Sequence, residues 1–154
     1  MMKNTIENSL GAYKRNLQRG NGSMALQVSG EMYLETIYVL SQKKTYVRAS
    51  DVSTEMRVTR PSVSRAIHLL EDGGFLTIEN GALCLTDVGR EYGERIYERH
   101  ATLTQCFVAL GVDREIAAND ACRIEHIISD ECFAALKTHF TAPGDETAQL
   151  VMAR

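Results

Sequence analysis

The feature that most constrains the fold is a single hairpin signal set among helical patterns. Residues 75–86 read FLTIENGALCLT, two short apolar runs on either side of Asn80-Gly81. Asn and Gly both accept the positive φ that a two-residue type I′ turn demands, so the dipeptide predicts two antiparallel strands, FLTIE and ALCLT. The segments around it have helical spacing. GEMYLETIYVLSQK (30–43) repeats Tyr33, Ile37 and Leu40 on one face, with Glu31 and Glu35 early and Lys43 and Lys44 late, as the helix dipole favours. Thr45–Arg48 reads as a short extended piece. Ser50 is the expected N-cap of a short helix, DVSTEMR, and Val58-Thr59 the turn after it. Thr59 then caps RPSVSRAIHLLEDG, with Pro61 tolerated in the first turn, Val63, Ile67 and Leu70 on the buried face, and Gly73-Gly74 at the end. After the hairpin, Thr86 or Asp87 starts a long helix over 87–109 that ends at Gly111. Asp113 caps another over 114–128, and a last helix covers 130–140.

The order is helix, helix, turn, helix, hairpin, then three helices, and its first half is that of a winged helix-turn-helix. The expected fold class is therefore mainly α, a winged helix-turn-helix followed by an α-helical domain. The expected boundaries are a flexible N-terminal extension at 1–28, the winged helix-turn-helix at 29–88, the helical domain at 89–141 and a polar tail at 142–154.

Composition excludes several classes. With 44% apolar and 24% charged residues the chain is globular rather than disordered. No apolar run is long enough to span a membrane, and the N-terminus lacks the apolar core of a signal peptide, so the cytoplasm is the expected compartment. Cys84, Cys106, Cys122 and Cys132 form no CxxC pair, so they are expected as thiols or metal ligands rather than disulfides. The net charge of −3 is unevenly spread: residues 1–70 carry ten Lys/Arg against five Asp/Glu, and residues 86–131 five against ten. A basic half suits a polyanion, and an acidic half suits cations or a partner.

A helix of about 12 residues fits the major groove of DNA, and the side chains at its N-terminal end reach base edges. Here that end reads Thr59-Arg60-Pro61-Ser62-Val63-Ser64-Arg65. Arg60 and Arg65 can reach guanine edges or phosphates, and Ser62 and Ser64 are short donors that allow close approach. Arg48 and Arg57, with Lys43 and Lys44, can hold the phosphate backbone. The tip of the wing, Glu79-Asn80-Gly81, is acidic and is not expected to do so.

The sharpest local signal is Cys122-Arg123-Ile124-Glu125-His126. Positions i, i+3 and i+4 of a helix share a face, so Cys122, Glu125 and His126 offer a thiolate, a carboxylate and an imidazole to one side. His100 is as far before Gly111 as Cys122 is after it, and an antiparallel helix pair would bring it opposite. Met32 and Glu35 share a face of the first helix and could supply a sulfur and an oxygen. Each of these residues also has an ordinary packing role open to it. His68 and His139 have no partners at ligand spacing, and Cys84, Cys106 and Cys132 read as packing residues.

These stretches resemble a known family. EMYLETIY (31–38), VRASDVSTEMRVTRPSVSRAIHLLEDGGFL (47–76), LTDVGREYGERIYERH (85–100) and DACRIEHIISDE (120–131) are similar to the bacterial iron- and manganese-dependent repressors, of the diphtheria-toxin-repressor and manganese-transport-regulator type. The resemblance implies a helical dimerisation and metal-binding domain after the DNA-binding one. It implies a metal site in which the iron-type ligands fall on Met32, Cys122, Glu125 and His126, and the paired manganese-type site adds Glu35 and His100. The manganese type has carboxylates where this chain has Met32 and Cys122, so the ligand set is a hybrid. The iron type's ancillary site would need a Glu and a His where Thr104 and Ala118 stand, and is not expected. The chain ends at 154, which implies the two-domain form without the SH3-like domain. Sulfur ligands favour Fe2+ and the two glutamates Mn2+, while Zn2+ or Co2+ would bind such a set in vitro. A homodimer on a palindromic operator is implied, and the apolar stretch Leu103, Phe107 and Leu110, with Phe133, Leu136 and Phe140 of the last helix, is its expected interface. The implied function is a transcriptional repressor of metal-homeostasis genes.

Other classes are a winged-helix regulator answering a non-metal ligand, a Zn2+-responsive regulator, a small metalloenzyme and a protein-interaction module. The sequence has no HExxH, GxSxG or phosphate-binding glycine loop, so no enzyme is expected.

Overall fold

The computed structural model describes residues 23–141, as six helices and one two-stranded antiparallel sheet. The helices are α1 (Ser23–Lys43), α2 (Ala49–Met56), α3 (Arg60–Asp72), α4 (Asp87–Ala109), α5 (Arg114–Ile124) and α6 (Asp130–Thr141), with β1 (Leu76–Glu79) and β2 (Ala82–Leu85) between α3 and α4. The chain divides into two compact units between Glu94 and Arg95, inside α4. The mainly helical class and the winged helix-turn-helix order are those read from the sequence.

Residues 1–22 of the expected N-terminal extension and the tail at 142–154 lie outside the described residues. The remainder of the extension is corrected: α1 already begins at Ser23. Gly30 does not stop it, because an isolated glycine costs only about 1 kcal/mol against Ala and no proline follows. Tyr33, Leu34, Ile37 and Leu40 put the buried stripe of α1 into the core of the first unit.

The start of α2 differs from expectation by two residues. Arg48, not Ser50, is the N-cap; its backbone N–H donates to Asp51 Oδ2 at 2.8 Å, and Asp51 also pairs with Lys44 Nζ at 2.7 Å. The helix-turn-helix corner is made by Arg57, whose φ of 55° and ψ of 41° are left-handed. The Val58 N–H donates to the Ser53 carbonyl, and the Ser53 hydroxyl donates back to the Val58 carbonyl at 2.7 Å. Thr59 is the N-cap of α3, and Val63, Ile67 and Leu70 point inward. Gly74, at φ +77°, ends α3, and the Phe75 N–H returns to the Leu70 carbonyl.

Asn80 (φ 51°) and Gly81 (φ 79°) form the turn that sets the register Leu76↔Leu85 to Glu79↔Ala82. Val47 accepts one hydrogen bond from the Leu83 N–H at 2.7 Å and is not a strand. Cys84, expected on the buried face, is only half-buried: it pairs with the exposed Thr77, and the inward position belongs to its neighbour Leu83.

Thr86 joins the wing to α4. Its hydroxyl donates to the Gly74 carbonyl at 2.8 Å and accepts from the Gly89 N–H at 3.1 Å, so it caps α4 as it anchors it. Gly89 and Gly93 allow the first turns of α4 to lie close: a Cβ on Gly89 would meet the Phe75 carbonyl oxygen at 1.8 Å, and one on Gly93 would meet Tyr38 Cβ at 2.8 Å.

In the second unit, Ile96, Leu103, Cys106, Ala117 and Ala121 are buried. Gly111, at φ +91°, closes the α4–α5 turn, and Asp113 caps α5 by accepting from Glu115 and Ile116 N–H groups at 2.9 and 3.3 Å. Helix α5 ends at Ile124, four residues short of expectation. The chain must leave the helix by Ser129, whose hydroxyl accepts from the Cys132 N–H and opens α6. Glu125 and His126 therefore stand in the turn after α5, not within the helix.

Candidate metal centre and DNA-reading face

The expected antiparallel register is present within the second unit. His100 Nδ1, from α4, lies 2.8 Å from Glu125 Oε2, and His126 Nε2 lies 3.2 Å from Glu125 Oε1. The Glu125 N–H still donates to the Ala121 carbonyl at 2.9 Å, so the helical spacing carries one residue past the end of α5. Glu125 thus follows the helical path, and His126 stands next to it in the turn. The side chains of Glu125 and His126 are fully buried, His100 is about a quarter exposed and Cys122 is half-buried.

An ionised carboxylate inside a protein costs several kcal/mol unless it is compensated. Burial alone would raise the Glu125 carboxyl, but the imidazoles of His100 and His126 at its two oxygens hold it below its ordinary value. The compensation is unequal: Oε2 has the aligned hydrogen bond with His100, whereas Oε1 receives no hydrogen bond among the described residues. A buried acceptor with a spare lone pair and an imidazole nitrogen 3.2 Å away form an oxygen and nitrogen donor pair, and the Cys122 thiol stands three residues earlier in the chain. Such a set fits a divalent transition metal.

Of the other predicted ligands, Met32 and Glu35 are half-buried on α1 and belong to the first unit. Thr104, at the expected gap in the ancillary site, is buried and donates its hydroxyl to the His100 carbonyl at 2.8 Å. It braces the backbone of a candidate ligand.

Sequence reasoning missed Arg99. It is 8% exposed, its guanidinium donates to the carbonyls of Glu125 and Ile128, and it pairs with Asp130. The signal was available: Ile96, Arg99, Leu103 and Cys106 follow one another at helical spacing, and all four are buried. A cation in an apolar stripe must have buried partners.

On the first unit, Thr59, Arg60, Pro61, Ser64 and Arg65 are exposed at the start of α3, as are Arg48 and Arg57. Ser62 is half-buried, its hydroxyl 2.9 Å from that of Thr59. Lys44 is engaged by Asp51, whereas Lys43, Arg48, Arg57, Arg60 and Arg65 are exposed. The Asp51 carboxyl is held below its ordinary value by Lys44 and by the Arg48 N–H.

The six residues expected at a dimer interface separate. Leu103 is fully enclosed in its own chain and has no surface to give a partner, so it leaves the set. Phe107, Phe133, Leu136 and Phe140 are half-buried and Leu110 is 69% exposed. Val112 and Ile116, not singled out from the sequence, are exposed beside Leu110 in the chain.

Comparison with known proteins agrees with this division of labour. Residues 25–81 match the model of the iron dependent repressor, N-terminal DNA binding domain, and residues 86–148 match that of the iron dependent repressor, metal binding and dimerisation domain. The chain is 37% identical over 102 residues to the HTH-type transcriptional regulator MntR of Lysinibacillus sphaericus, covering 66% of this chain and 73% of that one. Against MntR of Bacillus subtilis the identity is again 37%, covering 66% and 72%. The crystal structure of T. acidophilum IdeR is similar with a TM-score of 0.63 and 27% identity, covering 71% of this chain and 53% of that one. Among the described residues no helix is long and apolar enough to cross a membrane.

Proposed function

Because the chain belongs to the iron-dependent repressor family, and is thus a metal-dependent DNA-binding transcriptional regulator rather than an enzyme, we propose that it represses metal-homeostasis genes in the cytoplasm by binding a palindromic operator as a homodimer when Fe2+ or Mn2+ is plentiful. The observation that carries the metal reading is the buried Glu125 carboxylate, flanked by His100 and His126, with one oxygen left without a hydrogen bond.

His100, Cys122, Glu125 and His126 would hold the ion. Met32 and Glu35 join this proposed set on the family pattern. A bound cation would supply positive charge that offsets the buried Glu125 carboxylate. The chain's residues do the rest: Thr104 and Arg99 fix the backbone of His100 and Glu125, and the exposed residues at the start of α3 read DNA. Cys122 and Met32 favour Fe2+ and the glutamates favour Mn2+, while Zn2+ or Co2+ would bind such a set in vitro. Leu110 with Phe107, Phe133, Leu136 and Phe140 is the proposed interface.

Two substitutions test the assignment together. His126→Ala is expected to abolish the metal dependence of operator binding while far-ultraviolet circular dichroism stays that of the parent. Arg60→Ala is expected to weaken operator binding and leave metal affinity unchanged. If the His126→Ala protein still answers metal, the ligand set is wrong.

A further inference from the structure

We propose that Arg99 is a positioning residue of the metal centre, which sets Glu125 in place through its main chain and ties that placement to α6; this rests on the metal reading above. Arg99 and His100 are consecutive on α4, and both act on Glu125. His100 takes the side chain, at Oε2, while Arg99 Nη1 takes the main chain, donating to the Glu125 carbonyl at 3.1 Å. The same Nη1 donates to the Ile128 carbonyl at 3.0 Å, so one guanidinium closes the turn that carries Glu125 and His126.

Carbonyls in a turn have no regular partner and, once buried, must find one elsewhere. A planar fork of donors suits two carbonyls better than a lysine ammonium. The outer side of the guanidinium reaches α6: Nη2 pairs with Asp130 in its first turn, and the Phe133 ring lies 5.2 Å from Cζ. Glu125 is thus held at both ends, and its outer anchor is α6. Rotation of the Glu125 backbone would break the Arg99 bonds and the His100 contact together. Side chains that orient metal ligands in this way commonly alter affinity 10- to 100-fold when removed.

The test uses the full chain and Mn2+, with affinity read from the electron paramagnetic resonance signal of free Mn2+. The visible absorption spectrum of bound Co2+ reports ligand arrangement, which a purely structural role would not move. Arg99→Met is expected to weaken Mn2+ roughly 10- to 100-fold and to change the Co2+ spectrum. Arg99→Lys, which keeps the charge and guards against a variant that fails to fold, is expected to fall between it and the parent. Asp130→Asn, which leaves both carbonyl bonds intact, is expected to stay within a few-fold of the parent. Parent-like Mn2+ affinity and Co2+ spectrum in Arg99→Lys and Arg99→Met, even with a lower melting temperature, would overturn the proposal and leave Arg99 a core stabiliser. Glu125→Ala separates the two levels: parent-like Mn2+ binding in that variant would overturn the site itself, and the proposal with it.

Discussion

Gly89→Ala sets two effects of opposite sign against each other. By helix propensity alone, alanine in place of glycine stabilises by up to about 1 kcal/mol. By packing it destabilises, because the new Cβ would sit 1.8 Å from the Phe75 carbonyl oxygen. A carbon meets a carbonyl oxygen comfortably at about 3.3 Å, so roughly 1.5 Å of separation must be found. The obstacle is main chain and cannot rotate away. Moving the start of α4 from β1 breaks the Thr86 N–H bond to the Phe75 carbonyl, 3.1 Å, and disturbs the edge-on pair of Phe75 and Tyr92, 5.6 Å between centroids. The hydrogen bond and the aromatic pair are each worth about 1 kcal/mol, and overpacking costs about 1–3 kcal/mol more. Less the propensity gain, the net loss is roughly 3 kcal/mol. With a urea dependence of about 2 kcal/mol per molar, the unfolding midpoint falls by roughly 1.5 M. Gly93→Ala, opposed by Tyr38 Cβ at 2.8 Å, should lose less. An unchanged or higher midpoint for Gly89→Ala would mean that propensity wins and that the close approach of α4 to the wing is not as described.

Three further outcomes follow from single residues. Arg57→Gly relieves a left-handed backbone and should raise stability by about 0.5–1 kcal/mol in urea titration; the same variant should bind operator more weakly, with a salt slope smaller by about 0.9 if Arg57 neutralises one phosphate. Asp51 has a depressed folded pKa, so its stabilisation is complete above the ordinary carboxylate value and is lost as pH falls through the folded value; melting curves of the parent and Asp51→Asn should differ at pH 7 and converge in strong acid. Cys106 is buried and its thiol is pushed up by that burial, whereas Cys132 is exposed, so Ellman's reagent should label Cys132 in seconds to minutes and Cys106 only on unfolding.

Much of the fold was legible because its punctuation is local. Asn80-Gly81 specifies its turn through backbone sterics, and Asp113 and Thr59 mark helix starts by position. Arg48 did not reveal itself as a cap, because the carboxylate that serves it comes three residues later, from Asp51. The end of α5 depends on Ser129 opening the next helix, a competition that apolar periodicity does not record. In the candidate centre, counting residues on either side of Gly111 brings His100 opposite Cys122, and the contact falls one turn further on, at Glu125. Leu103 was placed at an interface because periodicity identifies an apolar face without saying what covers it. Arg99 was passed over because charge is usually read as surface, although its place in the buried stripe of α4 said otherwise.

The most direct test of the central claim is the fluorescence anisotropy of DNA from the protein's own upstream region. It would be titrated under anaerobic reducing conditions at fixed salt, with Fe2+, Mn2+, Zn2+ or chelator present. The account predicts tight binding with Fe2+ or Mn2+ that chelator reverses. Tight binding indifferent to both metal and chelator would contradict it.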